Sequence, residues 1–91
     1  MFCYVYVLQS EKDDKLYIGF TPDLKKRLEI HNLGLSKATK YRVPFVLVYY
    51  EVYRNKKDAL DREKFFKTGW GRQYIKKVLK NYLDSIEKSK T

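Results

Sequence analysis

The sequence predicts a small α+β domain: a three-stranded antiparallel sheet flanked by helices, in the order β-β-α-β-α-α. Three observations carry this. Two short runs rich in β-branched and aromatic residues, FCYVYVLQ (2–9) and LYIGF (16–20), are joined only by the polar SEKDDK, which favours an antiparallel hairpin. A third run, FVLVYYEVY (45–53), is the longest β-like stretch and is expected to be central or well covered. The remaining long segments carry apolar residues at helical spacing between helix start and stop signals.

The elements follow in order. The first run lacks Gly and Pro and reads as a buried strand. Gly19 in the second removes a side chain from a strand interior, so another group is expected to approach the backbone closely there. Thr21, Pro22 and Asp23 form a helix start, with Thr21 as cap, Pro22 in the first position and Asp23 at the positive end of the dipole. That helix is expected from Pro22 to Leu33, stopping at Gly34, with Leu24 and Leu28 as its apolar stripe. Residues 34–43 (GLSKATKYRV) read as a polar, basic loop closed by Pro44. Asn55 caps a helix from Lys56 to Lys67, which Thr68-Gly69-Trp70-Gly71 interrupts. One last helix from Arg72 to Ile86 carries Ile75, Val78, Leu79, Tyr82 and Ile86 at helical spacing. The reading is a single domain over 1–86 with a frayed tail at 87–91.

At 91 residues there is room for one domain, and 9 Tyr, 5 Phe and 1 Trp supply the core that a disordered chain lacks. Lys and Arg number 20 against 11 acidic residues, a formal charge of +9 that draws in polyanions. Nucleic acid and an acidic surface both fit that field. With one Cys and one His, four zinc ligands cannot be assembled. The apolar opening lacks a basic leader and is too short to span a bilayer. A cytoplasmic protein without a membrane partner or a small-molecule substrate is therefore expected.

One constellation carries chemistry. The hairpin holds Tyr4-Val5-Tyr6 and Tyr17-Ile18-Gly19; the first helix holds Arg27 and His31, one turn apart; the second holds Glu63 within ALDREKFFK. Singly, each has an ordinary explanation: sheet aromatics, a solvated helix face, a surface ion pair with Lys64 or Lys67. Together, in this order, they resemble the GIY-YIG nucleases. Tyr4-Val5-Tyr6 stands where that family has its first tripeptide, and Tyr17-Ile18-Gly19 reproduces the second. The run YIGFTPDLKKRLEIHNLG is similar to the family's hairpin and first helix, and the likeness extends from Tyr4 to about Leu79. It is nearest the small stand-alone bacterial members, related to the nuclease domain of the excision-repair incision subunit. Two departures stand out. The first tripeptide has Tyr4 in place of Gly, and the family's late Asn has no clear counterpart: Ile75 falls near its place, and Gln73 is not assigned to it.

The resemblance implies a metal-dependent DNA endonuclease that acts on duplex or branched DNA in repair or recombination. Tyr6, Tyr17, Arg27, His31 and Glu63 would be its catalytic residues. Arg27 suits phosphate because its guanidinium is permanently charged and forked. Glu63 offers a hard oxygen to one Mg²⁺ or Mn²⁺, completed by waters and phosphate. Either tyrosine could be the base, Tyr6 being slightly favoured, but a phenol with a pKa of about 10 needs nearby positive charge for that task. His31 would bond the tyrosine or the phosphate and relay a proton. Gly19, Lys37, Lys40, Arg42, Lys76 and Lys80 are the expected DNA contacts. The missing Asn keeps an alternative open: a nucleic-acid-binding module of the same fold without cleavage. A basic protein docking on acidic partners would explain the charge but leave the five residues idle. Strong specificity would need a homodimer or a partner protein. Trp70, between two glycines, reads as a packed aromatic more readily than as a base-stacking platform.

Overall fold

The computed structural model describes residues 1–89. Strands β1 (Cys3–Ser10) and β2 (Leu16–Thr21) form the expected hairpin. Helix α1 (Leu24–Asn32) follows, then β3 (Phe45–Tyr53) and helices α2 (Lys56–Phe66), α3 (Gly69–Val78) and α4 (Lys80–Ser89). The sheet is antiparallel in the order β2-β1-β3.

The central strand is therefore β1, and β3 lies at an edge, which corrects the expectation for the longest apolar run. Val5, Val7 and Leu8 of β1 are wholly buried, whereas Tyr50 and Val52 of β3 are exposed. Alternation along β1 builds a core on each face of the sheet. Cys3, Val5 and Val7 pack with Ala59 and Phe66 of α2, Ile75 of α3 and Leu79. On the other face Tyr6 and Leu8 pack with Phe45, Leu47 and the α1 stripe of Leu24 and Leu28. The two faces thus take different helices.

Several local signals resolve differently from expectation. Asp23, not Thr21, caps α1: its carboxylate accepts from the Lys26 amide, while Thr21 ends β2 and its hydroxyl accepts from the Asp23 amide. Gly34 closes the helix with φ at +74°, the left-handed region open to glycine. Asn32 donates to the Phe45 carbonyl and accepts from the Phe45 amide, fixing the start of β3 to the end of α1. Asn55 caps α2 as expected. The last helix is two helices broken at Leu79, and the first begins earlier than expected, capped by Thr68. A β-carbon on Gly71 would collide with the Phe65 carbonyl, so glycine there lets α3 press against the end of α2. The tail expected to fray is helical through Ser89; residues 90 and 91 lie outside the described residues.

Candidate active site

Tyr6 is the hub. It lies directly opposite Gly19 in the hairpin register, and a β-carbon on Gly19 would strike the Tyr6 ring and hydroxyl. The close approach signalled by a glycine inside a strand is thus made by the protein's own phenol, rather than first of all by DNA. Tyr17, two residues before Gly19, shares that face of the strand. Both tyrosine rings meet the imidazole of His31 edge-on, with centroids 5.8 Å (Tyr6) and 5.2 Å (Tyr17) away.

His31 is fully buried, and both its ring nitrogens are engaged. Nε2 is 2.8 Å from the Tyr6 hydroxyl and Nδ1 is 2.7 Å from Thr39 Oγ1. Burial, assisted by the Arg27 charge, holds the His31 pKa down at about 4, so the ring is neutral near pH 7. Burial pushes the Tyr6 pKa above its ordinary value, against a downward pull from Arg27. A phenol that keeps its proton donates it to Nε2; the remaining N–H of a neutral imidazole then lies on Nδ1 and donates to Thr39. The result is a chain Tyr6–His31–Thr39 whose tautomer is assigned from the roles of the partners. Thr39, fully buried in the loop after α1, escaped the sequence reading. Nothing in a basic, polar loop distinguishes one hydroxyl from another.

The two charged members arrive from opposite directions. Arg27, half-buried one turn before His31, pulls the Tyr6 pKa down from close by. Glu63 belongs to α2, which packs on the other face of the sheet, yet its negative charge still acts on Tyr6. The β2 edge supplies the route, because Lys67, one turn after Glu63, lines a cleft together with Tyr17 and Ile18 of β2. Lys67 Nζ also sits 3.1 Å from the Glu63 carboxylate as its counter-ion. Tyr6, Tyr17 and His31 thus lie together with Arg27 beside them, and Glu63, on α2 across the sheet, acts on Tyr6 through its charge.

A clamp that the sequence reading missed sets the rotation of α2. Glu51 of β3 accepts hydrogen bonds from Tyr49 (2.7 Å), Tyr53 (2.6 Å) and both ends of the Arg62 fork (2.8 and 3.1 Å). Burial alone would raise the Glu51 pKa, but its donors, led by Arg62, bring it below the usual value. Arg62 also lies over the Phe66 and Tyr74 rings, which ties α2 to α3. The signal was visible: Glu51 is the only charge in FVLVYYEVY, and an Arg stands next to Glu63. Holding Arg62 on the sheet fixes the turn of α2 that carries its neighbour Glu63.

The residues of this fold and site match a known pattern along most of the chain. The GIY-YIG catalytic domain matches residues 2–80. The chain belongs to the GIY-YIG family. UPF0213 proteins of Streptococcus pyogenes serotypes M5 and M3 are each 51% identical to this GIY-YIG domain over 65 residues, covering 70% of either chain. The solution NMR structure of a UPF0213 protein from Bacillus halodurans aligns with a TM-score of 0.55 at 30% identity. That alignment covers 86% of this chain and 85% of the other.

The expected DNA contacts of the GIY-YIG domain fall into different settings. Lys37 and Lys40 are exposed in the loop after α1, and Lys40 lies over the Tyr41 ring. Arg42 is committed elsewhere: it forks onto Asp13 at 2.7 and 3.3 Å, donates to the Lys15 carbonyl and covers Phe45. It pins the loop to the hairpin, so a phosphate there would compete with Asp13 for the guanidinium. Lys76 lines the cleft at the β2 edge, and Lys80 pairs with Asp84 on α4. Trp70 is 78% exposed on the first turn of α3, which overturns its reading as a packed aromatic. Ile75, near the place of the absent Asn, is a core residue. Among the described residues no helix is long and apolar enough to cross a membrane.

The donor set also bears on the metal. Among the described residues no group of three or more His, Cys, Asp and Glu side chains gathers into a ready-made cage. Glu63 is a carboxylate whose charge acts on Tyr6. That poverty fits Mg²⁺ or Mn²⁺, which keep several waters and are held by one or two carboxylates plus substrate phosphate. It would not suit a tightly held structural ion.

Proposed function

We propose that this domain is a DNA endonuclease that hydrolyses phosphodiester bonds with Mg²⁺ or Mn²⁺. The supporting observation is the clustering of His31, Tyr17 and Arg27 about one buried phenol, Tyr6, on which the charge of Glu63 also acts. When bound through Glu63, the metal supplies neutralising charge to the scissile phosphate and an acidified water. The chain's own residues do the rest. Arg27 forks onto the phosphoryl oxygens and stabilises the charge that develops there. Tyr6 accepts a proton from the attacking water on its hydroxyl oxygen as its own proton passes to His31 Nε2. The water oxygen bonds to phosphorus as the ester P–O bond to the departing strand breaks, and the oxygen released takes a proton from solvent. Thr39 Oγ1, accepting from Nδ1–H, stabilises the imidazolium so formed. In this relay Tyr6 keeps its proton beforehand and acts as a proton conduit, and Tyr17 orients His31 and lines the pocket beside it.

Arg27 tests the reading directly. Arg27→Ala should slow single-turnover cleavage about 10²–10³-fold, the range for losing a transition-state donor. Arg27→Lys should recover only part, because a point charge does not replace the planar fork. Thermal melting should change little in either variant. Near-normal cleavage by a folded Arg27→Ala protein would remove the mechanism's central cation.

A further inference from the structure

The cleft at the β2 edge adjoins the proposed centre and extends beyond it. Its volume is about 630 Å³, within the range of roughly 300–1,000 Å³ that takes a molecule the size of a nucleotide. Its floor is aliphatic, formed by Leu16 and Ile18 of β2, Ile75 of α3 and Leu83 of α4. Four cations stand around it: Lys15 from the hairpin turn, Lys67 at the end of α2, and Arg72 and Lys76 of α3. Asp14 is the single carboxylate of the lining. Two of its residues belong also to the catalytic neighbourhood, since Tyr17 meets His31 and Lys67 pairs with Glu63.

We propose that this cleft is a subsite for an unpaired nucleotide of the strand running to or from the scissile phosphate. The inference rests on the DNA-cleaving reading and adds a substrate class: DNA carrying a single-stranded segment at the cut. An apolar floor under a ring of cations matches a base lying flat with its phosphates on the rim. A base within a duplex cannot use such a floor, because stacking covers both its faces and pairing hides its edge. An unpaired base pays no such cost. Duplex phosphates alone would need the cations but leave the aliphatic floor without a partner.

The test compares one labelled duplex with the same duplex bearing a short thymidine tail, by fluorescence anisotropy in EDTA so that no strand is cut. Wild type should prefer the tailed DNA by about tenfold, a modest return for one base contact. In the Lys15→Ala/Arg72→Ala protein, altered at exposed positions on opposite walls, that ratio should fall to about twofold. The slope of log affinity for tailed DNA against log salt should shrink by about 1.4, two single-strand contacts at about 0.7 each. Lys56→Ala/Lys57→Ala removes the same charge from the far end of α2 and should leave the ratio intact. Equal affinity of wild type for both DNAs, or an equal loss of ratio in the two double variants, overturns the subsite while DNA binding stands. Absence of binding to either DNA overturns the nuclease reading with it.

Discussion

Gly19 and Tyr6 are paired across the hairpin, and the phenol occupies the space where a β-carbon on residue 19 would be. Gly19→Ala should therefore displace the Tyr6 hydroxyl from His31, costing about 1–3 kcal/mol as overpacking does, with cleavage falling further than stability. Thr39 acts through His31 rather than on DNA. Thr39→Val keeps the shape but strands the Nδ1–H in a buried site, so cleavage should drop about 10–100-fold, as for other groups that orient a reacting residue. Thr39→Ser, which restores the acceptor, should recover most of the rate. The pH profile tests the relay itself. With His31 held at about 4 and Tyr6 raised above its usual value, no member titrates near neutrality. Single-turnover cleavage should be flat between about pH 5 and 9. A tenfold rise per pH unit would mean instead that a tyrosinate must form before the reaction. Helical spacing places Arg27 and His31 one turn apart and the strand runs place the two tyrosines in the hairpin, while the resemblance to the GIY-YIG family singled them out. Thr39 could not be read so, since its position depends on the path of a loop that no period describes.

Helices and strands show where hydropathy misleads. The run at 45–53 is the longest β-like segment, yet it is an edge strand whose Tyr50 and Val52 remain exposed. Strand order was decided by connectivity: the short turn pairs β1 with β2, and β3 returns after α1 to the free edge of β1. The break at Leu79 was equally hidden, because Leu79 continues the apolar spacing of α3 while its backbone leaves the helix. The hairpin, the limits of β3 and the Asn55 cap were legible because each depends on local chemistry. The Glu51–Arg62 clamp joins β3 to α2 and gives the element scale its own prediction. Glu51→Ala leaves Arg62 and two tyrosine hydroxyls without their acceptor. Partial exposure tempers the loss, which should fall somewhat below the ~3–5 kcal/mol of breaking a fully buried pair. Urea unfolding measures it. A loss under about 0.5 kcal/mol, the scale of an ordinary surface change, would show that the clamp does not fix α2.

For the molecule as a whole, the net charge of +9 and the buried neutral His31 each predict a dependence on solution conditions. DNA affinity should fall steeply with salt, each duplex phosphate contact adding about 0.9 to the log–log slope, and a flat response would count against DNA. Stability should depend on acid with a definite sign. Unfolded His31 takes up a proton near pH 6.5 and folded His31 only near about 4. Between those values the unfolded chain binds more protons, so this contribution to stability is lost as pH falls through the window, by on the order of 3 kcal/mol. His31→Gln should flatten that part of the curve. The most direct test of the nuclease reading is cleavage of plasmid and branched DNA with Mg²⁺, with Mn²⁺ and with EDTA, for wild type and Glu63→Ala. The account predicts nicking that requires metal and disappears in Glu63→Ala, with binding retained. Tight binding without cuts under every metal condition would contradict it and leave a nucleic-acid-binding module on the same fold.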